Sequence, residues 1–327
     1  MSVPDSRTRT HRPATLLLLS LLAAGLVSCA PSDPRLPTQS AEPSYDIAPL
    51  LEPDRKYLGV ALGGSLQDTE AVTDFTEQGR KEPNLREYYA KWGDPFHSKQ
   101  NRTVWDSGQL PFLVWEPFSV SPAAIAAGRD DTYIRDFARA VRAYNRPLAL
   151  SFGHEMNGDW YPWGNSHWTA AEFARSWRHI HDLFIDEGAA NVIWAWTPNV
   201  INPAPDVRLK PYYPGDAYVD WIGIVGYYAS GGPETFATLF GPTMEEIDRF
   251  TTKPVLIAET AVQAGERKPA AVTDLFEGVS GHDRVIGLVW FNVDKEADWR
   301  INSGPASLAA FQEAVSGREF GFDVRKP

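Results

Sequence analysis

Two glutamates in this chain stand where a carboxylate can do chemistry. Glu155 follows the apolar run Pro147-Leu148-Ala149-Leu150, inside the stretch Ser-Phe-Gly-His-Glu-Met-Asn-Gly-Asp-Trp-Tyr-Pro-Trp-Gly at residues 151–164. Glu259 closes a second such run, Lys253-Pro254-Val255-Leu256-Ile257-Ala258, and by the two-residue period of a strand it shares a face with Val255 and Ile257. Both runs read as buried strands that hand over to loops, and in a barrel such strand ends open on one mouth. Two carboxyl groups in an aromatic-rich cleft suit glycoside hydrolysis. One must be protonated near neutral pH to give a proton to the leaving oxygen, and the other must be ionised to attack the anomeric carbon. Trp160, Tyr161 and Trp163 surround Glu155 with surface that shields a neutral acid, which assigns it the acid/base part. Glu259 then needs hydrogen-bond donors to hold its charge, and Tyr227 on the neighbouring strand is the candidate.

The elements that must position these residues alternate between short β-rich runs and helix-compatible stretches. Strands are expected at Tyr57–Leu62, near Leu85–Trp92, and at Leu110–Trp115, Leu148–Gly153, Asn191–Thr197, Val219–Tyr228, Lys253–Thr260 and Val285–Asn292. Helices are expected at Asp131–Tyr144, with Ile134, Phe137, Ala138 and Val141 on one face, and at Glu172–Glu187, stopped by Gly188. Eight strands spaced by helix-length connectors match a single (β/α)8 barrel over residues 56–327. The rival is a doubly wound open sheet, which the first strand disfavours because no glycine-rich phosphate turn follows it. Glu155 and Glu259, 104 residues apart, then end the fourth and seventh strands.

Composition narrows the partners. A net charge of −11 is unsuited to nucleic acid or an anionic membrane surface, and 12 Trp, 12 Tyr and 16 Phe exceed what a core needs. Aromatic faces left in loops suit the apolar faces of sugar rings. Cys29 is the only cysteine, so an internal disulfide and a cysteine-based metal site are both impossible. It follows three arginines, Arg7, Arg9 and Arg12, and an apolar stretch from Ala14 to Val27 too short for a comfortable span. Leu-Val-Ser-Cys at 26–29 resembles a bacterial lipobox, which implies a signal peptide over 1–28, lipid on Cys29 and an extracytoplasmic, cell-surface location. Residues 29–55, rich in proline, read as a spacer.

His-Glu-Met-Asn-Gly-Asp-Trp-Tyr-Pro-Trp at 154–163, with Ile-Ala-Glu-Thr at 257–260, resembles family 26 of the glycoside hydrolases, retaining (β/α)8 enzymes best known as β-mannanases. The likeness runs from about residue 55 to 315. It implies that Glu155 is the acid/base and Glu259 the nucleophile, that His154 binds near the reacting sugar and that Tyr227 supports the nucleophile. It also implies that Trp290 is a sugar platform and that Trp160 extends the cleft floor; Trp163 is expected to hold a sugar ring as well. Where mannanases of the family often read Trp-Phe-Trp-Trp after the glycine, this chain reads Trp-Tyr-Pro-Trp, closer to members acting on mixed-linkage β-glucan or β-1,3-xylan. Mannan is the expected substrate only as the commonest activity of the family.

Other signals are bland. Gly158 stands where a zinc helix would need its second histidine, and His179 and His181 lie two apart on a helix, so no metal or other cofactor is expected. Asp294, Glu296 and Asp298 read as a solvated loop in preference to a substrate contact. Glu116, ending the third strand, either binds a sugar hydroxyl or pairs with an arginine. Asn157 is expected to support the loop backbone. The reading is a lipid-anchored, monomeric, retaining endo-β-glycanase acting on a polysaccharide. The rival from another class is a surface glycan-binding protein that kept the barrel and lost catalysis.

Overall fold

Eight parallel strands close on themselves in chain order: β1 (Tyr57–Leu62), β2 (Leu85–Lys91), β3 (Leu110–Glu116), β4 (Leu148–Phe152), β5 (Val192–Trp196), β6 (Trp221–Val225), β7 (Val255–Thr260) and β8 (Val285–Asn292). This computed structural model describes residues 46–327 apart from positions 65, 67 and 204. Closure is made by β1 against β8, in an unbroken register from Tyr57 opposite Gly287 to Leu62 opposite Asn292. The architecture is the expected (β/α)8 barrel. Strands buried on both faces carry near-continuous apolar runs, which is why they were legible.

Alternation along each strand sorts the side chains into two sets. Trp115 of β3 stacks on Phe137 of the helix Asp131–Tyr144, with ring centroids 4.4 Å apart, so it points outward to the helical layer. Phe152 of β4 points outward too, against Phe173 and Trp177 of the helix Ala170–Asp186. Their neighbours along the chain therefore turn inward, Glu116 on β3 among them, as do Glu87 and Tyr89 on β2, Glu259 on β7 and Phe291 on β8. The two long helices are held by local chemistry. A reciprocal Thr169–Glu172 capping box starts the second, and Asn145 in the left-handed region ends the first.

Two boundaries differ from expectation by more than two residues. The spacer was expected to run to residue 55, yet Ala48–Leu51 forms a short helix docked on the barrel. Leu50 is buried there, Tyr57 donates its hydroxyl to the Leu50 carbonyl at 2.8 Å, and Trp221 donates Nε1 to the Leu51 carbonyl at 2.9 Å. The two leucines among the prolines are what that stretch contributes to packing. β6 is shorter than the expected Val219–Tyr228 because its register against β7 slips between Gly223 and Val225, which puts Tyr227 in the loop beyond the strand. Residues 1–45, and with them Cys29 and the signal-peptide reading, lie outside the described residues.

Candidate active site

Glu155 is delivered to the mouth by a backbone that ordinary residues avoid. Gly153 has φ +58°, and a Cβ there would press on Phe173 at 3.1 Å, so any side chain would be strained at the exit of β4. Glu155 itself lies in the left-handed region at φ 53°, a conformation that costs a non-glycine residue on the order of 1 kcal/mol. Its N–H donates to the Thr197 carbonyl at 2.7 Å, which ties the β4 loop to the end of β5. Asn157 completes that tie as expected: its Nδ2 donates to the Asn199 carbonyl at 2.9 Å and its Oδ1 accepts from the Asn199 N–H at 2.8 Å.

The Glu155 carboxyl accepts from two donors. Trp160 Nε1 reaches Oε2 at 3.0 Å, and Asn199 Nδ2 reaches Oε1. Trp160 folds back over its own loop because residue 158 has no side chain: a Cβ there would stand 2.4 Å from the indole. Burial, then the neighbouring Glu259, push the Glu155 carboxyl up to about 7, with the two donors pulling the other way.

Glu259 accepts from two phenols, one on each oxygen. Tyr227 donates to Oε1 and Tyr89 to Oε2. Burial raises this carboxyl, and the Tyr227 and Tyr89 hydroxyls followed by Lys295 oppose the rise. Hydroxyls that donate to both oxygens favour the ionised form, so a proton shared by the pair rests on Glu155. His154 is buried and its pKa falls to about 3 through desolvation, so it is neutral; its Nε2 lies 3.2 Å from the Tyr161 hydroxyl.

Tyr89 and Asn199 were missed in the sequence. The signal for Tyr89 was the inward face of β2, where Glu87, Tyr89 and Lys91 alternate. Asn199 sits in Thr-Pro-Asn directly after β5, without a motif to mark it.

Two expected sugar platforms are corrected. Trp163 is fully buried, stacked on Tyr161 with centroids 4.4 Å apart and donating Nε1 to the His154 carbonyl at 2.6 Å, so it supports the loop from beneath. Trp290 is also fully buried. It points outward from β8, donating Nε1 to the Trp299 carbonyl at 3.0 Å and packing on Phe311 of the helix Pro305–Ala314. The alternation of a strand turns its neighbour inward: Phe291 is partly open and packs edge-on against Tyr227 at 5.9 Å. The aromatic surface open to the mouth is therefore Trp160, 46% exposed, Tyr89, 39% exposed, and the partly covered Tyr161, Tyr227 and Phe291.

Glu116 also faces the mouth and makes no ion pair with an arginine among the described residues. Burial pushes it up to about 7, against Lys91. Asp294 and Asp298 both pair with Arg300, and Glu296 with Lys295, which agrees with a solvated loop. Among the described residues no group of three or more metal-ligating side chains is found.

Comparison with known proteins gives this geometry a context. Residues 130–241 match the model of glycosyl hydrolase family 26. Endoglucanase H of Acetivibrio thermocellus is 33% identical over 275 residues, covering 79% of this chain and 30% of that protein. A mannan endo-1,4-beta-mannosidase of Bifidobacterium adolescentis is 26% identical over 129 residues, covering 38% of this chain and 12% of its own length. A beta-1,3-xylanase of a Vibrio species is 29% identical over 106 residues, covering 32% and 22%. The chain thus spans less than a third of the length of each of these three relatives. Among solved structures, a modular endo-beta-1,4-mannanase from Cellulomonas fimi superposes with a TM-score of 0.64 at 16% identity, over 84% of this chain and 74% of the other. A family 26 beta-mannanase from Bacteroides ovatus does so with 0.61 at 15% identity, over 84% and 92%. At those identities the likeness is one of fold.

Proposed function

The chain belongs to glycosyl hydrolase family 26, and from that premise we propose that it is a retaining endo-β-glycanase with Glu155 as acid/base and Glu259 as nucleophile. One observation carries the reading: two buried carboxyls share a mouth, one hydrogen-bonded by two tyrosine hydroxyls and the other pushed up to about 7. That is the division of protonation states that double displacement at a sugar carbon requires. An oxygen of Glu259 attacks the anomeric carbon while Glu155 gives its proton to the glycosidic oxygen, and the downstream sugar leaves. Water then attacks the glycosyl ester as Glu155 takes a proton from it, and both carboxyls return to their starting states. His154, neutral and 3.2 Å from the Tyr161 hydroxyl, orients the site. Trp160, Tyr89 and Phe291 offer faces to sugar rings. Neither step calls for a cofactor.

For the substrate, β-1,4-mannan is the polymer that most of the curated relatives carry in their names. A glucan reading has a specific observation in its favour. A relative matched over most of this chain is named an endoglucanase, and the acid/base loop reads Trp-Tyr-Pro-Trp. Reducing-sugar release from glucomannan, galactomannan, mixed-linkage β-glucan and β-1,3-xylan separates these. Loss in both Glu155→Ala and Glu259→Ala ties the activity to the pair. Silence on all four polymers, with oligosaccharide binding intact by calorimetry, would favour a glycan-binding protein instead.

The N-terminus adds a location to this reading. A monomer anchored by lipid on Cys29 and set off from the membrane by the proline-rich spacer would act on polysaccharide at the cell surface. Radiolabelled palmitate incorporated by the parent chain and absent from Cys29→Ala is the expected result.

A further inference from the structure

Besides Glu116, a further carboxyl lies on the inward face of the barrel, and the mechanism above does not use it. Glu87 stands on β2 between Ala61 of β1 and Phe112 of β3, two residues before Tyr89 on the same inward face. It is 3% exposed, and its Oε2 has no hydrogen-bond partner. It is close enough to Glu259 and Glu155 for both to act on it electrostatically, and it acts in turn on the Tyr89 and Tyr227 hydroxyls. Burial, then those two carboxyls, raise its pKa and so favour the neutral acid, which has a donor and an acceptor to offer.

A buried acid kept for structure is ordinarily paired with a cation or with backbone donors. Among the described residues no cation acts on Glu87. An aliphatic side chain would fill the same space without an unsatisfied polar atom. Two other polar atoms in this mouth also lack partners: His154 Nδ1, after β4, and Asn199 Oδ1, after β5. These three unfilled hydrogen-bonding positions lie on β2 and on the segments that follow β4 and β5. Ala61, the register partner of Glu87 on β1, contributes only a methyl group.

We propose that Glu87 binds one hydroxyl of the sugar that Glu259 attacks, and so selects substrates through a contact made inside the barrel. The inference rests on the endo-glycanase reading and deepens it. A site that hydrogen-bonds a substrate hydroxyl discriminates strongly against the analogue lacking it, because its own buried groups are then left unpaired.

The test uses aryl β-oligosaccharides whose sugar next to the aryl group is intact or lacks the 2-, 3- or 6-hydroxyl. Each is assayed with the parent enzyme, Glu87→Gln and Glu87→Ala. On the intact substrate Glu87→Ala is expected to lose on the order of 100-fold in kcat/KM. Glu87→Gln, which keeps a donor and an acceptor, should stay within about tenfold. On one of the deoxy substrates the loss in Glu87→Ala should vanish, since the hydroxyl it would have bound is already gone. An equal loss on every substrate, in a variant that still melts cooperatively, overturns the proposal and leaves Glu87 a structural residue. If Glu87→Ala does not fold, Glu87→Gln carries the same comparison, an uneven loss supporting the contact and an even one overturning it. A parent enzyme that cuts none of the substrates, the intact one included, overturns the endo-glycanase reading itself, an outcome separate from either of these.

Discussion

The hydroxyl of Tyr89 crosses the barrel from β2 to donate to Oε2 of Glu259 on β7, while Tyr227 takes the opposite oxygen. Hydrogen bonds to charged groups contribute about 1.5–3 kcal/mol each, so two of them offset much of the desolvation that burial imposes on this carboxylate. Removing either raises the pKa of Glu259. Tyr89→Phe and Tyr227→Phe are each expected to lose about tenfold to 100-fold in kcat/KM. Each should also move the acidic limb of the pH–rate profile upward, because the proposed mechanism needs Glu259 ionised to attack. A profile left in place would mean that the phenols do not hold the charge.

Trp160 and Gly158 form a second such unit, in which a missing side chain creates the space for an indole. Gly158→Ala puts a methyl group where the Trp160 ring now lies, 2.4 Å away, and the indole must leave the Glu155 carboxyl. A fall of about tenfold or more in kcat/KM is expected. Trp160→Phe isolates the hydrogen bond, since it keeps the cover and loses the N–H. That bond lowers the pKa of Glu155, so its loss should move the alkaline limb upward.

The acid itself fixes the pH dependence. Burial raises the folded-state pKa of Glu155 to about 7, above the value of about 4.3 in an unfolded chain. Activity should therefore fall as pH rises through about 7, where the proton is lost. The same raised pKa means that the folded state holds a proton which the unfolded state has given up. The stability tied to that proton is complete below about pH 4 and is lost as pH rises through about 7. Glu155→Gln is expected to be inactive on natural polymer and to melt higher than the parent at pH 8. The gain is on the order of 2 kcal/mol and should shrink toward pH 4. Melting curves of both proteins at the two pH values check it.

How much of this was legible depended on what kind of signal each residue leaves. The barrel was readable because a parallel strand buried on both faces must be apolar throughout, and β1, β8 and the helix Asp131–Tyr144 lie where the pattern put them. Glu155, Glu259 and Tyr227 were readable as polar residues ending or following such runs. Trp163 and Trp290 were misread for one physical reason. An indole beside glycine or asparagine looks the same whether it faces a cleft or props up the loop from below, and on β8 a shift of one residue reverses the side that is faced. Tyr89, Glu87 and Asn199 act through partners more than 40 residues away, which only closure of the barrel brings together.

The correction on β8 makes its own prediction. If Phe291 rather than Trp290 offers the face to sugar, Phe291→Ala should raise KM several-fold, in line with about 0.5–1.5 kcal/mol for an aromatic contact, and leave Tm nearly unchanged. Trp290→Phe should do the reverse. It removes a fully buried indole that donates at 3.0 Å to the Trp299 carbonyl and packs on Phe311. Leaving that carbonyl unpaired costs about 1–3 kcal/mol, or a drop of several degrees in Tm for a domain of this size, while KM stays near the parent value. Both variants can be read on one polymer and one melting instrument. If Trp290→Phe raises KM and Phe291→Ala does not, the ring on the outer face of β8 reaches substrate after all, by a movement of the Trp299 loop that now covers it.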